Sequence, residues 1–511
     1  MTVEDGWRRL DPRTVLASAV LALGACLAAG VPVLLGQRGR ETFVFTVGLV
    51  GTGVVLLVGA ATLLEWVRLL RTRFRIGAER VEVHSGIVVR ARKGLARERV
   101  RTVEVTADPV LRVLGLATVR IGTGQKASAT DRPLELRALR RPDAEAVRRD
   151  LLERPVVGKG EPQEEPAAAP RDETLAVLDP GWVRFAPLSS LTPVLGVAAF
   201  GTLLQGSDWF GLQRIVLDDA ARLALALGAV VSLVVGLVVV AVVGTVASLA
   251  VFVESWWGYR LTREPRTGAL HVRRGLLTRR STTLEEDRLR GVAVIEPAAV
   301  RWFGAARLDA VATGLSSGQE QRSDPRGLLP VAPAAVVDRV VAEVLREPAA
   351  PTTQVDLRGH PLAARTRRVR WASAACLVPA VVLAALALGP VPGMWFPAVV
   401  AAVLGLALGW WLGRLAYRNL GHGLVGRYVV TRHGAPGRRT VALRRDGILT
   451  WTLTRTPFQR RAGLVTLWFT TAAGDGAYGV YDLGIEQATA FAAEALGEHF
   501  APYLLDARMT P

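Results

Sequence analysis

Cysteine is nearly absent from this chain, with two in 511 residues beside three methionines and six histidines. Two cysteines exclude a disulfide-built scaffold, and no C-x-x-C or H-x-x-H spacing offers a zinc framework. Lysine is equally scarce. Only Lys93, Lys126 and Lys159 stand among the 63 basic residues, so the net charge of +18 is almost wholly arginine. Arginine with abundant alanine and valine fits GC-rich coding. The arginines flank apolar segments and do not gather in the aromatic-studded stripe of a nucleic-acid binder, so no nucleic-acid partner is expected. A Ser/His/Asp set, a Gly-rich phosphate loop after a strand and a suitably spaced carboxylate pair are all missing. His84, His271, His360, His422, His433 and His499 share no ligand spacing. The glycine-rich stretch Gly48–Gly53 lies inside an apolar run, where helix packing explains it better than phosphate binding. The expectation is therefore no enzyme, no metal, no cofactor and no small-molecule substrate.

Apolar and charged residues are present but kept apart. Half the residues are hydrophobic, 21% are charged, and mean hydropathy is +0.29. Six stretches without an ionisable side chain have the roughly 20 residues needed to cross a bilayer core: Thr14–Gly36, Phe43–Leu64, Pro187–Gln205, Leu223–Val253, Trp371–Leu388 and Trp395–Gly413. The fourth is long enough to tilt or to continue past the bilayer surface. Trp66, Trp256, Trp257, Trp410 and Trp411 mark the exits of the second members, where indoles favour the headgroup layer. Arg8, Arg9 and Arg13 precede the first span; Arg68, Arg71, Arg73 and Arg75 follow the second; Arg365, Arg367, Arg368 and Arg370 precede the fifth. The positive-inside bias then places both termini and every long segment in the cytoplasm of a six-span cell-membrane protein. Leu23-Gly24-Ala25-Cys26 resembles a lipoprotein cleavage site, but the apolar run continues through Val31–Leu35, which favours an uncleaved span.

The long segments repeat. Gly86, Gly275 and Gly434 each split two strand-like runs. Without a gap, the same offsets from that glycine lead to an acid (Glu98, Asp287, Asp446), an arginine (Arg112, Arg301, Arg460) and a second glycine (Gly115, Gly304, Gly463). The first glycine suits a tight hairpin, where positive φ is sterically free. Alternation in Val100–Val105 and Ala117–Ile121 reads as half-buried strands. Each unit ends in a helical pattern: Arg141–Leu152, Pro333–Leu345 and Gly484–His499. Leu10-Asp11-Pro12, Leu178-Asp179-Pro180 and Gly359-His360-Pro361 echo one another before each span pair; the extra length of the middle copy is assigned to its fourth span. The layout is a hairpin at 14–64 with a domain at 65–155, a disordered linker at 156–173, a hairpin at 187–253 with a domain at 254–348, a linker at 349–363, and a hairpin at 371–413 with a domain at 414–505.

The stretches Asp108–Val119 and Thr456–Leu464 resemble bacterial PH-like (pleckstrin-homology-like) membrane proteins of the YdbS/YdbT type over nearly the full length. The resemblance implies α-helical transmembrane hairpins with α+β domains: three PH-like β-barrels, each capped by a C-terminal helix. It brings no catalytic residues. The second copy departs from the pattern, with Ala298 at the proline position and Ala305-Ala306 in place of Leu-Ala, which puts any shared binding surface there in doubt.

For the repeated acid and arginine, an internal salt bridge fixing a loop is favoured over a partner site. Ala401, Gly405, Gly409 and Gly413, with Gly228, Ser232, Gly236, Gly244 and Ser248, recur every four residues as close-packing faces between helices. The juxtamembrane arginines set topology, and Arg68, Arg71, Arg73, Arg75, Arg365, Arg367, Arg368 and Arg370 are also candidates for lipid-headgroup contact. The leading functional expectation is a non-enzymatic scaffold at the cytoplasmic membrane. Its PH-like domains bind proteins or each other, in envelope organisation or stress response. The alternative is sensing of anionic headgroups, and transport ranks lower because the spans lack ionisable groups.

Overall fold

Uninterrupted apolar residues satisfy their own backbone as helices, and alternating runs satisfy theirs as paired strands. A computed structural model describes residues 7–36, 43–77, 80–85, 91–97, 102–122, 134–152, 172–189, 191–209, 212–313, 326–389 and 391–496. Gly86, Glu98, His499 and linker positions 156–171 lie outside them. Two units divide the chain, Met1–Glu286 and Asp287–Pro511.

The first unit opens with β1 (Arg8–Arg9), then the helices α1 (Arg13–Gly36) and α2 (Phe43–Arg71). β2 (Arg73–Ile76), β3 (Arg80–Ser85) and β4 (Ala91–Ala96) follow, then β5 (Thr102–Ala107), α3 (Pro109–Val113), β6 (Leu116–Gly122), β7 (Leu134–Arg140) and α4 (Arg141–Leu152). Phe74, Val81 and Val83 from the first sheet meet Val103, Val119, Ile121 and Leu136 from the second, with Ala144 and Val147 of α4 closing the core. This is the PH-like pairing of two sheets and one helix. The unit continues with β8 (Glu173–Val177), α5 (Thr192–Trp209), α6 (Gln213–Leu227), α7 (Ala229–Trp256), β9 (Arg260–Arg263), β10 (Leu270–Arg274) and β11 (Arg279–Leu284).

The second unit holds β12 (Leu289–Glu296), α8 (Ala298–Trp302), β13 (Ala305–Ala312), β14 (Gly327–Pro333) and α9 (Ala334–Leu345). Next come α10 (Pro351–Gln354), α11 (Leu362–Cys376), α12 (Val378–Leu388) and α13 (Trp395–Arg418). The third repeat's strands are β15 (Gly421–Val425), β16 (Tyr428–His433), β17 (Arg438–Arg444), β18 (Thr450–Thr454), β19 (Leu464–Thr470) and β20 (Ala477–Gly484), with α14 (Pro457–Arg461) between β18 and β19 and α15 (Ile485–Leu496) at the end. Val429, Leu467, Phe469 and Val480 pack on Phe491 and Ala492 of α15.

The sheets do not close into the expected barrels. Their orders are β1-β2-β3-β4, β7-β6-β5-β11-β10-β9-β8, β14-β13-β12-β17-β16-β15 and β18-β19-β20, all antiparallel. In the first two repeats the edge of the second sheet finds its hydrogen-bond partner in the following repeat: β5 pairs with β11, and β12 with β17. An edge strand exposes a row of unpaired backbone groups, and a neighbouring repeat satisfies them as well as closure does. Repeat two thereby contributes β9–β11 to one unit and β12–β14 to the other.

Among the described residues five helices are long and apolar enough to cross a membrane, six if one bent pair counts. That pair, Pro180–Leu188 with Thr192–Ser207, turns by 81° near the start of the third expected span, Pro187–Gln205. The extra length of the middle copy is a separate helix, α6, and not a lengthened span. Gly228, at φ 78°, breaks the chain between α6 and α7. The fifth span begins earlier than expected, at Leu362, and changes from α11 to α12 at Leu377 before Pro379. The linker at 349–363 is no free tether: Ala350 and Val355 are buried, Arg358 bridges to His422 and pairs with Glu494.

The glycine lattices hold in part. A Cβ at Gly405, Gly409 or Gly413 would overlap backbone atoms of Cys376, Ser373 or Val369, so α13 lies directly on α11. Gly244 meets Gly196 of α5 in the same way, whereas Gly236 has open space. Gly409→Leu is expected to push α11 and α13 apart and cost about 1–3 kcal/mol or more. Thermal unfolding of the detergent-solubilised protein should show that loss, and Gly236→Leu should leave the midpoint in place.

Candidate functional site

Where β5 meets β11, the two strands are joined by backbone hydrogen bonds from Arg279↔Ala107 to Thr283↔Val103. Beside this joint lies a cleft of about 510 Å³. β9, β10 and β11 contribute Arg260, Arg273, Arg274, Arg279 and Arg280 to its lining, and the first repeat adds Arg112 and Arg141. Glu145 is the one acid among the described lining residues. Trp257 and Gly258, at the end of α7, complete the wall.

Three of these arginines have internal work. Arg112 donates to the Leu276 carbonyl at 2.8 Å, Arg141 lies 3.5 Å from Glu145, and Arg274 stacks on the Trp256 ring at 4.2 Å. Among the described residues, Arg260, Arg273, Arg279 and Arg280 have no ion pair. Repulsion from the Arg112 guanidinium, then burial and the charge of Arg141, holds Arg279 below the usual arginine range. Such a cluster favours an anion that brings several acceptor oxygens.

The corresponding joint of the second unit has the same strands and a different electrostatic outcome. Arg438 and Arg439 stand where Arg279 and Arg280 stand in the first. Glu296, at the position of Ala107, pairs with Arg438 at 2.6 Å, and Asp475 takes Arg439 at 2.7 Å. Glu296 and Asp475 neutralise this joint, whereas at the first joint Ala107 stands in the place of Glu296.

Asp287 and Asp446 do not form the expected acid–arginine bridge, and Glu98 lies outside the described residues. Asp446 pairs with Arg444 at 2.5 Å and with Arg290 at 3.9 Å, and no described contact joins it to Arg460. Asp287 is exposed in a short turn. The arginines instead reach the next repeat's hairpin. Arg112 bonds Leu276, next to Gly275; Arg301 bonds Asn419 at 3.0 Å, whose amide donates to the Gly434 carbonyl at 3.0 Å. The long separation between these partners hid them from sequence spacing. Gly275 and Gly434, at φ 107° and 126°, make the expected tight hairpins. Gly115, Gly304 and Gly463, at 71°, 63° and 67°, end short helices in the left-handed conformation.

The juxtamembrane arginines separate into two kinds. Arg367 and Arg368 bind the buried carboxylate of Asp482 at 2.7 and 2.8 Å, an internal role that the sequence reading did not assign them. Arg71, Arg73, Arg75 and Arg370 are exposed, Arg365 is half-buried, and Arg68 lies 3.9 Å from Glu65. No described His, Cys, Asp or Glu group is arranged to hold a metal ion. The five basic side chains that β9–β11 bring to the cleft were not singled out from the sequence. Their only signal was the arginine pair on each side of Gly275.

Apolar helices followed by antiparallel sheets and a terminal helix, repeated with sheet edges joined, define a PH-like repeat protein. The family model described as Bacterial PH domain matches the chain three times, over residues 19–155, 209–348 and 374–498, and the chain belongs to that family. No curated protein and no solved structure matches it.

Proposed function

We propose that this is a non-enzymatic, multi-pass protein of the cytoplasmic membrane whose PH-like repeats form a binding platform on the inner face, and that the cleft of the first joint takes an anionic lipid headgroup. The apolar helices support the membrane reading: α2 buries no residue, and Leu56 on it is 66% exposed, an arrangement suited to lipid. The observation that carries the ligand is the group of four arginines, without ion pairs among the described residues, beside Trp257 at the end of α7. Headgroup phosphate is within reach there, and the site adds about 1 kcal/mol per basic residue near an anionic leaflet.

Native mass spectrometry of the full chain in neutral detergent tests it. Phosphatidylglycerol is expected to be retained over phosphatidylcholine and released as salt rises. Ala107→Glu sets a carboxylate opposite Arg279, copying Glu296 at the other joint, and should weaken retention about tenfold. Equal retention of both lipids overturns the reading. Competition by inorganic phosphate at equal strength would assign the cleft to a soluble anion instead.

A second reading, a protein scaffold in envelope organisation or stress response, is favoured by Trp302 and Phe303. They are 74% and 64% exposed beside Arg301, a composition frequent at binding hot spots. Trp302→Ser with Phe303→Ser should then remove crosslinked partners captured in intact cells.

A further inference from the structure

The two joints inside the chain are the same joint. Counted from the hairpin glycine of each repeat, Val103 faces Thr283 exactly as Val292 faces Ala442, and Thr106 faces Arg280 as Ile295 faces Arg439. One strand type at the edge of a second sheet thus meets one strand type at the edge of the next repeat's first sheet, twice, in a single register. Among the described residues the series leaves one of each unused. β18 ends the sheet β18-β19-β20, and β4 ends the sheet β1-β2-β3-β4.

We propose that a second copy of this chain fills both edges: β18 of one molecule pairs antiparallel with β4 of the next, head to tail, in the register of the internal joints. That register sets Thr450 against Leu95, Trp451 against Gly94, Thr452 against Lys93, Leu453 against Arg92 and Thr454 against Ala91.

Three further observations fit this occupant. β18, Thr-Trp-Thr-Leu-Thr, carries no charge and no proline, so it lacks the devices that keep an edge from pairing. β4 carries Arg92 and Lys93, and β11 and β17, which are paired, also carry two adjacent basic residues, two positions earlier, at Arg279, Arg280, Arg438 and Arg439. The arginine that ties each joint to the following hairpin is present a third time as Arg460. It is exposed and has no partner among the described residues, as expected of a clamp whose hairpin lies on another molecule. The contact uses different surfaces on the two partners, so it is heterologous and propagates to a ring or an open row. One sequence feature limits its strength: the same count sets Arg455 against Arg90, where the second joint has Glu296 against Arg438.

The test uses full-length protein in lipid nanodiscs and detergent, with Cys26 and Cys376 replaced by alanine. Thr452→Cys in one population and Lys93→Cys in another should give a disulfide-linked dimer on mixing, because facing Cα atoms of antiparallel strands lie about 4.5–5.5 Å apart. Thr452→Cys with Leu95→Cys, two residues out of register, should link at least tenfold less. Arg455→Glu replaces a like-charged pair with an opposite one and should raise the associated fraction, lowering the dissociation constant about tenfold. Thr452→Lys, facing Lys93, should reduce association by a similar factor, and an unchanged melting midpoint will show that it still folds. A monomer by light scattering at every concentration, equal linking in and out of register, or no response to Arg455→Glu would each overturn the proposal.

Discussion

Asp482→Asn is expected to lower the unfolding midpoint of the third repeat by about 10 °C, from a loss of about 3–5 kcal/mol. The Asp482 side chain is almost fully buried, with one oxygen 2.7 Å from Arg367 and the other 2.8 Å from Arg368. Gln459 donates to it as well, at 3.0 Å. These bonds fasten the start of α11 to β20, so they hold an apolar helix to its PH-like domain. Removing the charge leaves two largely buried guanidiniums uncompensated, which costs more than the pair itself contributes. Asparagine is the informative replacement because Asp482 has φ 59°, a region that asparagine tolerates and alanine does not. Asp482→Ala should therefore be worse than Asp482→Asn. A midpoint within 2 °C of the unaltered chain, read by differential scanning fluorimetry in detergent, would contradict the assignment.

Acid should loosen the same region. His360 and His422 are buried with their rings in contact, Nδ1 of His422 lying 3.2 Å from Nε2 of His360. Burial pushes His360 down to about 4 and His422 to about 3, the latter helped by the neighbouring His360 and Arg358. His433, also largely buried, is held at about 4. In the folded protein these rings stay neutral between pH 6.5 and about 4, while the unfolded chain takes up protons in that interval. Stability is then complete above about pH 6.5 and falls as pH drops toward 4, by on the order of 3 kcal/mol for one such ring. Melting curves from pH 7.5 to 4.5 should slope accordingly. His422→Phe, which keeps a ring against Phe491 at the place where the centroids lie 4.6 Å apart, should flatten the slope. An unchanged slope in that variant would show that other groups carry the acid response.

Much of the architecture could be read before any coordinates. Apolar runs free of charge marked the helices, and hairpin glycines marked the turns, since only glycine occupies the conformations of Gly275 and Gly434 without strain. The helical endings of all three repeats fell within a few residues of α4, α9 and α15. Gly405, Gly409 and Gly413 announced a close-packing face on α13 through their spacing, and the structure supplied its partner, α11. What misled was the repeated acid and arginine. A constant offset within a repeat suggested a bond within that repeat, yet Arg112 and Arg301 act on the repeat that follows.

The amino-acid sequence determined which segments are helical and apolar, which are strands, and that the module occurs three times, because those properties depend on local composition and short-range periodicity. Tertiary structure alone decided which edge each strand would meet. Alternating burial is identical whether a sheet closes on itself or joins its neighbour, so nothing local distinguishes the two. It also decided that one arginine-rich joint would be neutralised by Glu296 and its counterpart left open at Ala107, since charges far apart in the chain interact only once the fold brings them together.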